Sequence, residues 1–283
     1  MTRRIDVLMP VSGSPYDAAA SAALAPYRAA FAAAGMALAP RPWDLGPGDG
    51  DAALALFAWG YHFDVARWDA MLAAWPDERP LLNPPGLLAW NTRKTYLLAL
   101  EAAGIPIVPS RFGRADEASV IAAFDAFGCD ALVVKPQISA GSHETVRVKR
   151  GDRVAPLDAA IIQPFLPAIA EEGELSLFAI DGTFSHAARK VASGGDFRIQ
   201  PQFGGRFSGY APDVEARGVF DAVLAALPVR PLYARVDLLR SANGKLALME
   251  VEAIEPDLYP DIAPEVPALL AAALARRIGA RAQ

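Results

Sequence analysis

Four charged residues near the C-terminus are spaced so that they could meet on one face of a β-hairpin. An Asn243-Gly244 pair lies between two strand-like segments, and Asn-Gly is the strongest short-range signal for a hairpin turn. With this pair as a two-residue loop, counting outward places Asp237 opposite Glu250 and Arg235 opposite Glu252. The two-residue period of a strand puts all four side chains on the same face. A four-residue loop would change the partners but not the face.

Carboxylates that face each other across a β-ladder call for a cation between them. Like charges directly opposite destabilise the pair. Mg²⁺ commonly binds through one or two carboxylates together with the phosphates of a nucleotide. The hairpin therefore predicts a platform for a metal-bound nucleotide. The alternative is a solvated polar face without a ligand, because charged residues are mostly exposed.

Composition restricts the class of protein. The chain has 283 residues, 53% of them hydrophobic, and a formal net charge of -5. This length suits about two compact domains, and the charge argues against a nucleic-acid-binding surface. The single cysteine, Cys129, excludes an internal disulfide framework and a multi-cysteine zinc site. Since neither a signal peptide nor a transmembrane span is predicted, we expect a cytoplasmic protein that acts on small molecules.

Strand-like and helix-like segments alternate in the first part of the chain, which predicts an α/β domain. The predicted strands cover residues 5–11, 53–59 and 81–82, and the predicted helices cover 18–34 and 65–74. The turn Asn83-Pro84-Pro85-Gly86 follows, and we place a domain boundary there.

The rest of the chain is predicted to be α+β. Helices are expected at residues 92–103, 117–127, 214–226 and 266–278. Strands are expected at residues 105–108, 131–134, 145–148, 160–162, 175–180 and 183–188, before a Gly-rich segment at 193–209.

Lysine is rare in this chain, so each lysine is a candidate for a specific role such as phosphate binding. Only five of the 27 basic residues are lysines, and a compact ammonium suits a phosphate site. Lys94 falls in the first turn of a helix capped by Asn91 or Thr92, where the helix dipole disfavours a cation unless an anion is near. Lys135 ends an apolar strand and precedes the small-residue loop 139–145, whose backbone donors could cover phosphates. Surface lysines and a plain β-turn are the alternatives, but the combination favours nucleotide binding.

The ordered set of motifs resembles the ATP-grasp superfamily, and in particular its bacterial glutathione synthetase branch. The match runs from about residue 83 to residue 259. Its motifs are, in chain order, Asn91-Thr-Arg-Lys94, Val133-Val-Lys-Pro136, Ile161-Ile-Gln-Pro-Phe-Leu-Pro167, Gly173-Glu-Leu-Ser176, Ala188-Arg-Lys-Val191, Gly195-Asp-Phe-Arg198, Arg235-Val-Asp237 and Glu250-Val-Glu252. The resemblance implies an α/β N-terminal domain at 1–86 and an α+β ATP-grasp fold, whose subdomains at 87–165 and 166–283 clasp ATP.

The same resemblance assigns roles to individual residues. It implies that ATP phosphates are held by Lys94, Lys135 and the loop residues Ser139, Gly141 and Ser142. It places adenine on the hinge formed by Gln163, Pro164, Phe165 and Leu166, and ribose on Glu174, with Glu171 or Glu172 as alternatives. It makes Lys190, Arg198 and Arg235 the catalytic cations, and Asp237, Glu250 and Glu252 the ligands of Mg²⁺ or Mn²⁺. The family commonly has Asn at the position of Glu252, so the number of metal ions stays open.

The implied reaction is ATP-dependent carboxylate–amine ligation through an acyl phosphate, with ADP and phosphate as by-products. The substrates would be a small amino-acid-like carboxylate and an amine, and a homodimer is left open. Residues 250–259 look like those of cycloserine-type cyclo-ligases, so ring closure is one variant. Candidate substrate-recognition residues lie at 12–17, Tyr61-His62 and 197–210, because ligands in α/β folds gather at the carboxyl ends of strands.

Two other functions are weighed against this ligase. An ATP-binding module without ligase activity would not need the lysine, arginine and carboxylates assigned to catalysis. An NAD-linked oxidoreductase is disfavoured because no Gly-x-Gly-x-x-Gly turn follows the first strand.

Overall fold

The computed structural model describes residues 2–192 and 204–281. The first strands are β1 (Arg3–Met9), β2 (Met36–Pro42), β3 (Ala52–Leu54) and β4 (Leu81–Leu82). They form a parallel sheet in the order β2-β1-β3-β4. The accompanying helices are α1 (Asp17–Ala33) and α2 (Val65–Ala73), and single 3₁₀ turns span Trp43–Leu45 and Tyr61–Phe63.

Helix α1 covers the sheet with one apolar stripe. Its buried residues Ala20, Leu24, Tyr27 and Phe31 recur every three or four positions, which is the period of one helix face. They share a hydrophobic core with Ile5 of β1. The predicted α/β opening is therefore present.

The middle of the chain begins with two helices and continues as an antiparallel sheet. The helices are α3 (Pro85–Thr92) and α4 (Tyr96–Ala102). The strands are β5 (Arg111–Ala115), β6 (Ala131–Pro136), β7 (Val146–Lys149) and β8 (Leu157–Pro164), and helix α5 (Glu117–Phe127) lies between β5 and β6. The sheet order is β5-β8-β6-β7. This sheet and α5 share their own core, which includes Phe124 and Leu132.

The last part contains a second antiparallel sheet. Helix α6 (Ala168–Glu171) precedes β9 (Glu174–Ile180), β10 (Thr183–Val191), β11 (Arg206–Gly209), helix α7 (Val214–Ala226), β12 (Tyr233–Arg240), β13 (Leu246–Glu252) and helix α8 (Val266–Arg281). The sheet order is β11-β10-β9-β12-β13. Helix α4 packs on this sheet, since Leu97 and Leu100 share a core with Val236 and Leu248.

Several predicted elements were wrong in extent. The predicted helix at 92–103 begins only at Tyr96, and a helix that was not predicted, α3, ends at Thr92, so that Lys94 occupies the turn between α3 and α4 rather than a first helical turn. The amide of Lys94 donates to Gln137 O at 2.9 Å. This tertiary hydrogen bond satisfies an amide that lies outside both helices.

Two edge strands, β2 and β5, were not predicted. The predicted strand at 105–108 is only an isolated bridge between Ile107 and Leu248, and the strand that follows, β5, is a largely exposed edge without a strong apolar period. Strand β2 was missed because it contains Pro40 and Pro42, which an edge strand tolerates. The predicted strand at 53–59 ends at Leu54, although the chain stays buried to Ala58.

The described residues include no helix that is both long and apolar enough to cross a membrane.

Candidate active site

The carboxylate hairpin has the predicted residue pairs, but its turn is longer than predicted and a β-bulge compensates for the extra length. Asp237 pairs with Glu250 and Arg235 with Glu252, as predicted. The turn has five residues, 241–245, instead of two, since Arg240 pairs with Leu246. Pairing then shifts between Leu238–Leu248 and Asp237–Glu250, so Met249 is the extra residue of a β-bulge. The bulge restores the register that the longer turn had displaced.

Every carboxylate of this hairpin has a cationic partner. Asp237 lies 3.2 Å from Lys190 Nζ and 3.0 Å from Arg235 Nη2, and it also accepts a hydrogen bond from the Ser176 hydroxyl. Arg235 also pairs with Glu252. On the other strand, Lys94 Nζ lies 3.1 Å from Glu250 Oε1. The repulsion expected between facing carboxylates is thus relieved by side chains of the protein itself.

Burial and these cations set the charge states. Burial alone would raise the pKa of Asp237, but Arg235 and Lys190 more than offset it and hold that pKa at about 2. Burial raises the pKa of Glu252 to about 7 against the opposing charge of Arg235, and nearby Glu250 adds to the rise. Burial also raises the pKa of Glu174, although Lys190 opposes the shift. One guanidinium is thus shared between an ionised Asp237 and a Glu252 that protonates readily.

Lys135 differs from the other cations of the site. It is 7% exposed, and its ammonium contacts Met249 Sδ at 3.5 Å. Within the described ranges no carboxylate lies within ion-pair distance of it. Burial lowers its pKa, with partial compensation from Glu250. An anionic ligand would supply the missing counter-charge.

A cleft of about 910 Å³ between the two antiparallel sheets brings the predicted site residues together. Of these residues, the following line it: Lys94, Lys135, Ser139, Gly141, Ser142, Gln163, Pro164, Phe165, Leu166, Glu174, Lys190, Arg235, Asp237, Glu250 and Glu252. Arg198, with most of the Gly-rich segment, lies outside the described residues.

Two parts of the cleft differ in polarity. Its apolar wall includes Leu239 and Met249 as well as the hinge residue Leu166, and the sequence reasoning missed the first two. Strict alternation along β13 would direct Met249 and Glu250 to opposite faces of the sheet. The bulge instead lets both side chains line the same cleft. The apolar wall is suited to a flat aromatic ring, and the charged wall is suited to phosphates.

Local hydrogen bonds hold the hinge and the small-residue loop at the cleft. The amide of Phe165 donates to Ala131 O at 2.8 Å, and Gln163 Nε2 donates to Ser110 Oγ at 2.8 Å. Lys94 Nζ donates to Ser139 O at 2.6 Å. This lysine therefore joins the loop to Glu250 on the hairpin.

The carboxylate set has the right donor chemistry for Mg²⁺. Asp237, Glu250 and Glu252 line one cleft and offer the oxygen ligands that a hard divalent cation takes. In the described part of the chain, no three acidic, histidine or cysteine side chains converge as a ready metal site. Ammonium and guanidinium groups contact these carboxylates instead.

A second cavity, of about 1020 Å³, shares Lys190, Arg235 and Glu252 with the first. Its lining combines aromatic and charged side chains, and it includes Tyr16, Trp59, His62, Phe207, Glu255, Asp257 and Tyr259. Tyr16, His62 and Phe207 belong to segments that were predicted to recognise substrate. Tyr61 instead packs in the core beside Trp68. Glu255 and Asp257 were not singled out from the sequence, although they closely follow Glu250 and Glu252, the carboxylates predicted to bind metal.

His62 lines this second cavity, and both of its ring nitrogens are buried. Neither ring nitrogen has a partner among the residues that the structure describes. Burial, then His143 and Lys94, lower its pKa to about 4. The imidazole is therefore neutral near pH 7, with one donor and one acceptor nitrogen.

Two buried asparagines join the hairpin to helix α3: Asn91 lies in α3, and Asn83 lies just before it. Asn83 Nδ2 donates to Tyr233 O and to Ala253 O, both at 2.8 Å. Asn91 Nδ2 donates to Val251 O at 2.8 Å, and its Oδ1 accepts from Ala253 N at 2.7 Å. The end of β13 is thereby held from two sides.

Comparison with known proteins places this geometry in a family. No protein-family model matches the chain. Cycloserine biosynthesis protein DcsG of Streptomyces lavendulae is 31% identical over 221 residues, which are 70% of this chain and 73% of that protein. The crystal structure of D-cycloserine synthetase DcsG superposes with a TM-score of 0.82 and 25% identity over 97% of this chain and 99% of that one.

More distant solved structures share the fold. D-alanyl-alanine synthetase A from Vibrio cholerae matches with a TM-score of 0.69 and 14% identity, over 98% of this chain and 99% of that one. The ATP-grasp ligase PsnB, in a complex with Mg and ADP, matches with a TM-score of 0.65 and 16% identity, over 98% of both chains. The chain belongs to the ATP-grasp ligases, enzymes that use ATP to join a carboxylate to an amine.

Proposed function

We propose that this ligase phosphorylates the carboxylate of a small amino-acid-like substrate and then lets an amine displace the phosphate. The observation that carries the proposal is the meeting of the two cavities at Lys190, Arg235 and Glu252. ATP in the first cavity would place its terminal phosphate beside a carboxylate held in the second. The buried cations lie at the junction where negative charge would accumulate.

The implied chemistry needs positioning and charge neutralisation rather than a protein nucleophile. A carboxylate is a poor electrophile, and phosphorylation converts one of its oxygens into part of a good leaving group. Such phosphoryl transfer depends mainly on alignment and on cations around the phosphate. We assign Lys94 and Lys135 to the phosphates of ATP, and Lys190, Arg235 and Arg198 to the transferred group.

The same proposal gives the hairpin carboxylates the metal. Asp237, Glu250 and Glu252 would hold Mg²⁺, or Mn²⁺ in its place, and the metal supplies charge neutralisation at the phosphates when bound. Glu174 would contact the ribose, with its partner Lys190 shared with the transferred phosphate. Phe165 and its neighbours in the hinge would hold adenine.

Ring closure is the variant that we favour. The likeness to D-cycloserine synthetase extends over nearly the whole chain, which supports a substrate that carries both the carboxylate and the amine. The second cavity is lined by the stacked rings of Phe207 and Tyr259, 5.2 Å apart, and by the edge-packed rings of Tyr16 and Trp59. Apolar walls would shield an acyl phosphate from water.

The remaining sequence predictions stay predictions. We propose domain boundaries after residues 86 and 165, a cytoplasmic location and, as an open option, a homodimer.

Product analysis tests the proposed function. Purified protein, Mg²⁺-ATP and a panel of amino acids and amines should give ADP and phosphate with one substrate class. The panel includes β-aminooxy-D-alanine, the ring-opened form of D-cycloserine. With ¹⁸O in the substrate carboxylate, one label should appear in the released phosphate. Release of AMP and pyrophosphate, or retention of all label in the product, would show that no acyl phosphate forms.

A further inference from the structure

One carboxylate at the second cavity is not neutralised by the protein. Within the described ranges, Glu255 has no hydrogen bond and no ion pair. Its acidic neighbours at the two cavities all have partners. Glu174 and Asp237 contact Lys190, Glu250 contacts Lys94, Glu252 contacts Arg235, and Asp257 Oδ1 accepts from Tyr259 N at 2.9 Å. The lone pairs of Glu255 are thus available to a bound molecule.

The backbone that carries Glu255 is held in place. The amide and carbonyl groups of Ala253 are bound by Asn91 and Asn83. The Tyr233 hydroxyl donates to Ile254 O at 3.0 Å. The residue before Glu255 is therefore fixed by buried hydrogen bonds. A side chain on such a support can hold the position that proton transfer requires.

Glu255 lies where an attacking amine would approach. It lines the second cavity together with Lys190 and Arg235, the cations that we place around the transferred phosphate. A molecule in that cavity with its carboxylate at these cations would have its other groups toward Glu255. Glu255 is three residues beyond Glu252 and, unlike Glu252, lines the second cavity but not the first.

The charges around Glu255 suit a base. The charged groups facing it are Glu250 and Glu252 of β13, Arg235 of β12 and Lys94 of the α3–α4 turn. The buried hydroxyls of Tyr61, in the 3₁₀ turn Tyr61–Phe63, and of Tyr233, in β12, also lie near it. Burial, followed by the charge of Glu252, raises its pKa well above the usual value. A carboxylate with a raised pKa accepts a proton more readily at neutral pH.

We propose that Glu255 is the general base that accepts the proton of the attacking amine. The inference rests on the proposed ligase function. The amine nitrogen forms a bond to the carbonyl carbon of the acyl phosphate, and one N–H proton passes to a carboxylate oxygen of Glu255. The bond from that carbon to the phosphate oxygen then breaks, and phosphate leaves with the electron pair. Glu255 returns its proton to solvent when the product leaves.

The test separates the two half-reactions in Glu255→Gln with β-aminooxy-D-alanine as the probe. Amide formation should fall about 100-fold or more, the usual range for loss of a general base. Acyl phosphate formation should continue, seen as ¹⁸O scrambling between the β–γ bridge and the β non-bridging positions of ATP. Equal loss in both half-reactions, or no loss of amide formation, would overturn the proposal.

Two further variants keep the result interpretable. Asp257→Asn removes a carboxylate from the same cavity, and it should alter both half-reactions in the same proportion through substrate affinity. Glu255→Asp keeps the base and should retain the acidic limb of the pH–rate profile, which Glu255→Gln should lose. If Glu255→Gln fails to fold, judged by loss of ADP binding, an Asp variant without that limb overturns the proposal instead.

Failure of the underlying function gives a different result. A wild-type enzyme that releases no ADP with the probe contradicts ring closure and the inference together. A wild-type enzyme that is active, beside an equally active Glu255→Gln, contradicts only the role of Glu255.

Discussion

Lys94 and Lys135 enter the same cleft but differ in what surrounds their charges. Lys94 is paired with Glu250 at 3.1 Å, whereas Lys135 has no carboxylate partner in the described part of the chain and contacts Met249. An unpaired buried charge destabilises the free protein. The two lysines should therefore respond differently to the same substitution.

We expect Lys135→Met to raise the melting temperature of the nucleotide-free protein and Lys94→Met to lower it. The first removes an unpaired charge, and the second leaves Glu250 without its partner. Both should weaken ATP binding by about 1.5–3 kcal/mol, the scale of a charge-assisted hydrogen bond. Thermal unfolding and titration calorimetry measure the two effects. Unchanged ATP affinity in both variants would leave neither lysine in the phosphate site.

Protonation of Glu252 should stabilise the free protein as the pH falls. Its pKa is about 7 in the fold and 4.5 ordinarily, so the folded state binds the proton more tightly. The resulting increase in unfolding free energy develops below pH 7, is complete near pH 4.5 and should be on the order of 1–3 kcal/mol. His62, whose pKa is lowered to about 4, acts in the opposite sense over the same range.

The measurement is therefore the difference in unfolding free energy between wild type and Glu252→Gln at pH 8 and at pH 5. The unfolding free energy of wild type should rise relative to that of Glu252→Gln as the pH falls. A constant difference would mean that Arg235 keeps Glu252 ionised throughout.

At the scale of residues, sequence patterns predicted which side chains share one face of the hairpin but not the side chains that contact that face. Strand alternation and hairpin counting predicted that Asp237 faces Glu250. The partners that relieve their repulsion could not be found in that way, because Lys190 and Lys94 come from distant segments. Glu255 was also missed, since its importance depends on having no partner.

Among the elements, the β12–β13 hairpin depends on a turn with special backbone geometry. Gly244 has a φ of 77°, in the left-handed region that glycine adopts without strain. Its amide donates to Ser241 O at 2.9 Å. The five-residue turn and the bulge at Met249 together set which side chains line the cleft.

Gly244→Ala should destabilise the protein by about 1–2 kcal/mol, the cost of a left-handed conformation for an L-residue. The same change at Gly218, an exposed position inside α7 with open space around it, should stabilise by about 0.5–1 kcal/mol. Urea unfolding of the two variants provides the comparison. Equal effects would show that the turn tolerates other backbone conformations.

The elements that were predicted well are those with buried, regular patterns. Helix α5 was predicted with its bounds, because Asp116 caps its start and Gly128 ends it with a φ of 60°. Edge strands β2 and β5 were not, since prolines or exposed residues break their patterns. Backbone pairing at an edge is decided by the neighbouring strand, which a local pattern does not contain.

In the whole molecule, two regions differ in how they are joined. Asn83 and Asn91 tie the residues around α3 to the end of β13 through buried hydrogen bonds. The sheet β5-β8-β6-β7 has a core of its own and faces the hairpin across the cleft. This arrangement favours motion of that sheet relative to the rest.

ATP should therefore protect the two regions unequally from hydrogen exchange. We expect the largest added protection in residues 139–145 and 163–166, which line the cleft on the side of this sheet. Residues 232–254 should change little except at the carboxylates, because their backbone is already held. Lys135→Met is the matched control and should lose the added protection. Uniform protection of all three sheets would contradict separate motion.

Helix α8 has a consequence for how the protein is made. Its residues Leu270, Leu274 and Ile278 complete a core that also contains Leu24 and Phe31 of α1. During translation at 5–20 residues per second, the stretch between α1 and α8 takes on the order of 10–50 s to emerge. Over that interval the nascent N-terminal sheet lacks part of its cover and exposes apolar surface on the ribosome. Its final folding step therefore waits for residues 266–281, and chaperone contact is most useful before they arrive.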